Sequence, residues 1–237
     1  MWYVSCKTET NQERSRMAKL IGNIDEYLNC TQLVEDCVGG FREYQTFRDK
    51  DGNIDRVSQL LVNDPKADER LVKVIKANYP GPMCDGLIYT GAHFPEKYVK
   101  LLDEYLGTVC VRVVVSEFDP GKVTVPHYDW AREKDQQAEA KLLEYGDIEG
   151  YHVHLGEPEE GHGFMIEGEC CYMQQQGNIW KWDNYLSWHS AVNTGWNPKR
   201  ILSYFGLRLK KDLPNHTYKY NDKSEGVELV LEDGTIL

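Results

Sequence analysis

Residues 108–118 read TVCVRVVVSEF, a run of β-branched residues with the length of one strand, and Asp119-Pro120-Gly121 follows as a turn. Further short segments come after it, most of them separated by Gly, Pro, Asp or Asn: YHVHLGE (151–157), GFMIEGE (163–169), CCYMQQQ (170–176), NIWKW (178–182) and ILSYFGLRL (201–209). Several short strands with turns between them predict an all-β sandwich or barrel.

The first half of the chain has a more mixed pattern. Apolar residues have helical spacing near Gln12–Leu20 and Asp68–Ala77. Pro95–Leu106 predicts another amphipathic helix, which Gly107 ends. We therefore expect flanking helices beside the β core.

These patterns suggest two regions. Residues 1–107 are expected to form a helical and mixed elaboration packed on the core, and residues 108–237 the β core itself. Within the core, the segment 131–148 is rich in Glu, Gln, Ala, Lys and Leu, which predicts a helical insertion.

The charge excludes some classes of function. The chain has 27 basic and 38 acidic residues, a formal net charge of −11. Sequence-independent binding to nucleic acid or to an anionic membrane surface requires clustered Lys and Arg, so neither is expected. The sequence has no apolar run long enough for a membrane-spanning helix and no apolar N-terminal stretch typical of a signal peptide.

The cysteines indicate a reducing compartment. There are seven of them, an odd number, and no Cys-x-x-Cys pair occurs. We interpret them as reduced thiols of a cytoplasmic protein. Cys170 and Cys171 are adjacent in an apolar segment and are predicted to be strand residues that face opposite ways.

The most informative pattern is His127-Tyr128-Asp129 together with His189. In a strand, residues i and i+2 face the same side about 7 Å apart, so His127 and Asp129 can bind one ion. His189 from a distant strand would complete a set of two histidines and one carboxylate. That set leaves coordination positions open and suits non-haem Fe(II) and oxygen chemistry.

Arg200 follows His189 by eleven residues and opens the strand-like segment ILSYFGL. A guanidinium inside a barrel requires an anion, and a dicarboxylate extending from the metal would supply one. The alternative is an arginine at a strand end, paired with a surface acid.

This combination resembles the aspartyl/asparaginyl β-hydroxylase family of Fe(II)/2-oxoglutarate oxygenases. The matching positions are the strand that carries Arg112, Pro120-Gly121, Pro126-His127-Tyr128-Asp129, His152-Val153-His154-Leu155, Gly163–Gly168, Gly177–Asp183, His189-Ser190-Ala191-Val192-Asn193 and Arg200. The resemblance covers residues 109–208, a little under half of the chain.

The resemblance implies a double-stranded β-helix, a squashed barrel of two sheets. It implies Fe(II) at His127, Asp129 and His189, with 2-oxoglutarate held by Arg200 and contacted by His154. The implied activity is a dioxygenase that uses O2 to hydroxylate an aliphatic C–H of an amino acid or of a peptide or protein side chain, releasing succinate and CO2.

One position departs from the family pattern. The family often has Arg-x-His where this chain has His152-Val153-His154, so His152 stands in place of an arginine. The alternative for these two histidines is a pair in the core or at a sheet edge. His162 lies between glycines and is expected at the surface.

The acidic residues are concentrated near the predicted metal site. Glu133–Glu169 contains 11 acids and 2 bases and begins four residues after Asp129. It is either a lid that attracts a cationic substrate or an ordinary solvated helix and loop.

Three other functions stay open at this point. The first is a barrel that binds a metal or a small ligand without turnover. The second is a different metalloenzyme, such as a zinc-dependent hydrolase or isomerase. The third is a structural protein that assembles through residues 1–106. The substrate is a small molecule or a peptide or protein, and the sequence does not distinguish them.

Overall fold

The computed structural model of the chain describes residues 18–37, 94–121, 139–166, 169–172, 175–182, 189–221 and 226–236. The helices are α1 (Asp25–Leu28), α2 (Cys30–Cys37) and α3 (Glu96–Leu106), with a further helical stretch at 139–143. The strands are β1 (Ala18–Asn23), β2 (Val109–Phe118), β3 (Gly146–His154), β4 (His162–Ile166), β5 (Glu169–Tyr172), β6 (Asn178–Trp182), β7 (His189–Asn193), β8 (Lys199–Leu209), β9 (His216–Asn221) and β10 (Gly226–Leu231).

The strands form two antiparallel sheets that face each other. The larger sheet has the order β1-β6-β3-β8-β2-β10-β9, and the smaller one the order β5-β4-β7. Contacts between the sheets include the rings of His152 and Phe164, whose centroids are 5.0 Å apart. The chain is therefore mostly β with flanking helices and has a double-stranded β-helix core, as predicted.

The central strands of the larger sheet present side chains to two different cores. In β8, Ile201 and Phe205 face the smaller sheet and belong to the core between the sheets. Leu202 and Tyr204 face the opposite way and pack with the helices. Because both faces of this strand are buried, its sequence has no alternation of apolar and polar residues.

A half-buried carboxylate, Asp103, fixes α3 to the larger sheet. Asp103 accepts hydrogen bonds from Tyr204 Oη at 2.6 Å, Tyr218 Oη at 2.5 Å and the backbone N–H of Cys110 at 2.8 Å. Burial raises the pKa of Asp103 above its ordinary value, and the three hydrogen bonds oppose that rise. The network connects α3 with β2, β8 and β9.

Two predictions for the N-terminal half can be compared with the structure. The helix at Pro95–Leu106 is confirmed, since α3 covers Glu96–Leu106. The helix near Gln12–Leu20 is wrong where it is described, because Ala18–Leu20 pairs with β6 as the start of strand β1. Hydrogen bonds from a neighbouring strand outweigh the weak helical preference of this segment. Residues 12–17 and Asp68–Ala77 lie outside the described residues.

The predicted insertion at 131–148 is shorter than expected where it is described. The helical residues are 139–143, and Gly146–Ile148 already belongs to β3, which pairs with β8. Residues 131–138 lie outside the described part of the chain. The sequence did not predict β9 as a strand, whereas the strand expected to carry His189 is present as β7.

The described cysteines agree with the prediction of reduced thiols. Cys30, Cys37, Cys110 and Cys170 are free thiols, and burial raises the pKa of Cys37 to about 11. Cys170 is exposed and Cys171 buried, which confirms that they face opposite ways. Among the residues the structure describes, no helix is long and apolar enough to cross a membrane.

Candidate functional site

Four buried histidines lie between the two sheets. His152 and His154 come from β3 of the larger sheet, and His162 and His189 from β4 and β7 of the smaller one. The ring centroids are 6.4 Å apart for His152 and His189, and 5.8 Å apart for His154 and His162. The histidines thus form two pairs, one after the other along the barrel.

Strand register directs these side chains inward. In β7 and β4, His189 lies opposite Ile166 and Asn193 lies opposite His162, so all four share the face of the buried Phe164. In β3, His152 and His154 are two residues apart and therefore share one face. The prediction that His162 is at the surface is wrong, because strand β4 places it on the inner face, where it is 2 % exposed.

Trp182 packs between His152 and His189. Its ring centroid is 4.5 Å from each imidazole, and it is fully buried. Gly150 lies opposite Trp182 in the sheet, and a Cβ at Gly150 would be only 3.0 Å from Cε3 of the indole. The glycine therefore makes room for the indole beside the two histidines. Ser203 Oγ lies 3.2 Å from Nε2 of His152 on the same inner face.

The buried cation of this interior is Lys199, the first residue of β8. Its side chain is 0 % exposed and crosses to the smaller sheet, where Nζ donates to the carbonyl oxygens of Gly163 and of Val192, the latter at 3.0 Å. Nζ is also 5.6 Å from the centroid of the Phe118 ring. Its described partners therefore do not include a carboxylate.

Burial lowers the pKa of Lys199 to about 7. The cause is desolvation, since an ammonium group loses its hydration when it is taken into the barrel. A bound anion beside Nζ would offset that loss and raise the pKa again.

Arg200 is not in this interior. It lies opposite Glu117 in the sheet, and its Nε donates a hydrogen bond to the Glu117 carboxylate at 2.6 Å. The arginine side chain is 36 % exposed and lies on the outer face of the larger sheet. The structure thus places Arg200 in the alternative arrangement, an arginine at a strand end paired with an acid, because neighbouring residues of a strand face opposite ways.

His154 has unused hydrogen-bonding groups. It is 1 % exposed, and neither of its ring nitrogens has a hydrogen bond of normal geometry to the described residues; the backbone of Glu157 and of Arg200 interacts with the ring only weakly. Burial, with repulsion from His162 and Lys199, lowers its pKa to about 4, so the imidazole is neutral at pH 7. A neutral imidazole offers one N–H donor, and a buried donor calls for an acceptor.

The structure brings together some of the predicted site residues. His189 and His154 lie in the same interior, whereas Arg200 does not. His127 and Asp129 lie outside the described residues, and the described residues alone contain no group of three or more His, Cys, Asp or Glu side chains suited to a metal ion. Sequence reasoning missed Lys199, although it is two residues before Ile201 and so shares its face.

The spacing within the barrel suits an extended diacid. Lys199 Nζ bonds to the carbonyl of Val192, which is three residues after His189 on β7. Three residues of a strand span roughly 10 Å, which a metal at His189 and a five-carbon diacid together would fill. The single N–H donor of neutral His154 and the ammonium of Lys199 would fit the carboxylate oxygens of such a ligand.

Several residues of the acidic stretch are paired. Glu149 accepts hydrogen bonds from Lys181 at 2.7 Å and from Arg208 at 2.8 Å. Burial raises the pKa of Glu149, but these hydrogen bonds lower it by more, so that the pKa is about 2. Asp147 pairs with Lys210 at 2.5 Å. The negative field of this stretch is therefore weaker than its count of acids suggests.

Comparisons with known proteins give distant similarities. No family model matches the chain, and no curated protein matches it. A prolyl-4-hydroxylase from Pseudomonas putida is similar over 82% of this chain and 94% of that chain, with 12% identity and a TM-score of 0.43. A viral collagen prolyl hydroxylase from Paramecium Bursaria Chlorella virus-1, solved as a 2-oxoglutarate complex, has 11% identity and a TM-score of 0.40 over 83% of this chain and 98% of that one. A sugar phosphate isomerase of a cupin superfamily from Silicibacter pomeroyi has 15% identity and a TM-score of 0.30 over 65% and 82% of the two chains.

Proposed function

We propose that the chain is an Fe(II)/2-oxoglutarate-dependent dioxygenase that hydroxylates an aliphatic C–H of an amino acid or of a peptide side chain. The observation that carries the proposal is Lys199, a fully buried cation whose described partners include no carboxylate. Burying an ammonium in an apolar interior is costly unless an anion compensates it. A ligand with a carboxylate at that position would provide the compensation.

His189 supports the metal part of the proposal. It begins β7 on the inner face and would bind Fe(II) with His127 and Asp129, which are spaced for one ion in the sequence. The bound metal would supply the activation of oxygen. Trp182 packs against the His189 ring and so restricts its orientation.

Lys199 and His154 would hold the co-substrate. Lys199 would bind the carboxylate far from the metal, and the N–H of His154 would donate to a second oxygen. Phe164 and Trp182 line the same interior and exclude water from it. In this proposal a lysine takes the role that the aspartyl/asparaginyl β-hydroxylase pattern gives to an arginine, so membership of that family is itself part of the proposal.

Succinate release tests the proposed function. The chain would be incubated with Fe(II), ascorbate and 2-oxoglutarate over a panel of amino acids and peptides. We expect succinate to form with at least one substrate, and His189→Ala to abolish it. His216→Ala is the matched control, because His216 lies on β9, outside the barrel interior. Equal succinate formation by wild type and His189→Ala would overturn the proposal.

A further inference from the structure

Trp196 is the most exposed large apolar side chain of the described residues. It lies in the loop between β7 and β8 and is 89% exposed. Exposed tryptophans are uncommon on surfaces that contact nothing, and they are enriched at the centres of protein interfaces. The exposure of Trp196 therefore indicates that the surface around it contacts a partner.

The loop that carries Trp196 is held in one conformation. The Glu159 carboxylate accepts hydrogen bonds from the backbone N–H of Trp196 and from the backbone and side chain of Asn197, the latter two at 3.0 and 2.8 Å. The buried Asn193 accepts from Gly195 N–H at 2.9 Å and donates to Asn197 O at 2.9 Å. Exposure of the indole is thus a property of an ordered loop.

Neighbouring turns brace the same loop. Asn193 Nδ2 also donates to the carbonyl of Phe118 at 2.7 Å, and Thr194 N–H donates to the carbonyl of Gly161 at 3.0 Å. Gly161 has a φ of +98°, and a Cβ there would lie 2.5 Å from Oγ1 of Thr194. Only a glycine fits this close approach. A rigid anchor loses little conformational entropy on binding.

The charge around Trp196 is negative. Three described segments meet at this end of the barrel, 119–121, 155–161 and 194–198, and together they contain Asp119, Glu157, Glu159 and Glu160. The cations that follow them in the chain do not offset this charge at the surface, because Lys199 is buried and Arg200 is paired with Glu117. Glu157 and Glu160 are exposed. The Glu159 carboxylate binds the backbone of Trp196, and Glu157 and Glu160 belong to the same acidic loop. Cations are attracted both by the quadrupole of an indole ring and by carboxylates of opposite charge.

We propose that Trp196 and the carboxylates of Glu157 and Glu160 form a docking surface for an arginine- or lysine-containing segment of a partner protein. The cation would stack on the indole and its neighbours would pair with the two carboxylates. Trp196 follows the Asn193 end of β7, whereas His189 begins that strand, so the surface is remote from the proposed metal site and does not depend on the proposed function.

The first test measures the solvent exposure of the Trp196 indole. The full chain has six tryptophans, so its labelled indole N–H signals can be resolved by NMR, and Trp196→Phe assigns the signal of interest. We expect that signal to respond more strongly to a soluble paramagnetic agent than the signals of the half-buried Trp180 and the buried Trp182. A protected Trp196 signal would overturn the proposal, because the surface would already be covered within the chain.

Binding is then measured with an acetylated nine-residue peptide of alternating arginine and glycine. We expect the Trp196 signal to shift saturably, and Trp196→Ala to weaken the peptide affinity about fivefold or more. The double variant Glu157→Gln/Glu160→Gln should also weaken it, more at low salt than at high salt. The variant Glu144→Gln/Asp212→Asn is the matched control. Glu144 precedes β3 and Asp212 follows β8, so both acids lie at the end of these strands that is away from Trp196.

Unchanged peptide affinity in Trp196→Ala would overturn the proposal. So would equal weakening by the control double variant, which would indicate attraction by net charge alone. Self-association is checked by light scattering: a wild-type dimer that becomes monomeric in Trp196→Ala would assign the surface to a second copy of the chain instead of a cationic partner.

Discussion

Lys199 and Arg200 are adjacent cations in different environments. Lys199 is fully buried between the sheets, bonded to two carbonyls, whereas Arg200 is partly exposed and paired with Glu117. An exposed ion pair of this kind contributes little to stability, about 0–1 kcal/mol. An uncompensated buried ammonium reduces stability instead, and residues that carry such a cost are candidates for function.

The loss of folding stability caused by the buried Lys199 should depend on pH. Its pKa is about 7 in the folded chain, below the value of about 10.4 in an unfolded chain. Between these values the unfolded chain binds more protons, so the free energy of unfolding rises with pH from about 7 to about 10. We expect wild type to gain stability relative to Lys199→Met over this range, by at most about 1.4 kcal/mol per pH unit.

Urea unfolding of both proteins at several pH values measures this gain. The difference between the two free energies of unfolding contains no contribution from groups that titrate alike in both proteins. Saturating 2-oxoglutarate should flatten the difference, because the anion keeps Lys199 charged. A difference that is already independent of pH without the ligand would mean that Lys199 titrates normally.

At the scale of elements, the link from β7 to β8 positions both His189 and Lys199. Asn193, the last residue of β7, is 0% exposed and uses its side chain in three hydrogen bonds, to Phe118 O, Asn197 O and Gly195 N–H. These bonds connect the end of β7 with the end of β2 and with the start of β8.

Asn193→Ala should therefore lower the free energy of unfolding by about 2–4 kcal/mol, because it leaves buried backbone groups without partners. The control is Thr194→Ala in the same loop, which removes one exposed hydrogen bond of 3.4 Å and should change the free energy by less than about 0.5 kcal/mol. Urea unfolding measures both. Equal effects of the two variants would contradict the role given to Asn193.

The β elements were largely predictable from local sequence. The β-branched run at 108–118 and the segments at 178–182 and 201–209 become β2, β6 and most of β8. The side of β8 that faces the barrel was not predictable, because Leu202 and Tyr204 are as apolar as Ile201 and Phe205. A shift of one residue exchanges the two faces, and so Arg200 was expected where Lys199 lies.

His162 was misplaced for a related reason. The glycines on both sides of it suggest a loop, yet Gly163 pairs with Tyr172 and Val192 inside the smaller sheet. Pairing across distant segments decides this position, and a local pattern contains no information about it. The Cys170 and Cys171 prediction succeeded because it needed only strand alternation.

At the scale of the whole molecule, a net charge of −11 would act on the dianionic co-substrate of the proposed function. The long-range field would repel 2-oxoglutarate, whereas the buried Lys199 would attract it at short range. Salt screens the first interaction much more than the second. We expect the association rate constant to rise a few-fold between about 20 and 300 mM salt, with little change in dissociation.

Stopped-flow binding under anaerobic conditions measures these rates. Pyruvate, a monoanion that lacks the distal carboxylate, is the control ligand, and its association should respond less to salt. An affinity for 2-oxoglutarate that falls steeply with salt would instead indicate a solvent-exposed cation as the binding group.

The most direct measurement of the central claim is the affinity of the Fe(II)-loaded chain for 2-oxoglutarate, by anaerobic calorimetry, in wild type, Lys199→Met and Arg200→Met. We predict that Arg200→Met binds within about threefold of wild type, because Arg200 lies on the outer face with Glu117. Lys199→Met should bind about 100-fold more weakly or worse, since it removes the buried partner of a carboxylate. Wild-type affinity in Lys199→Met, with binding lost in Arg200→Met, would contradict the account.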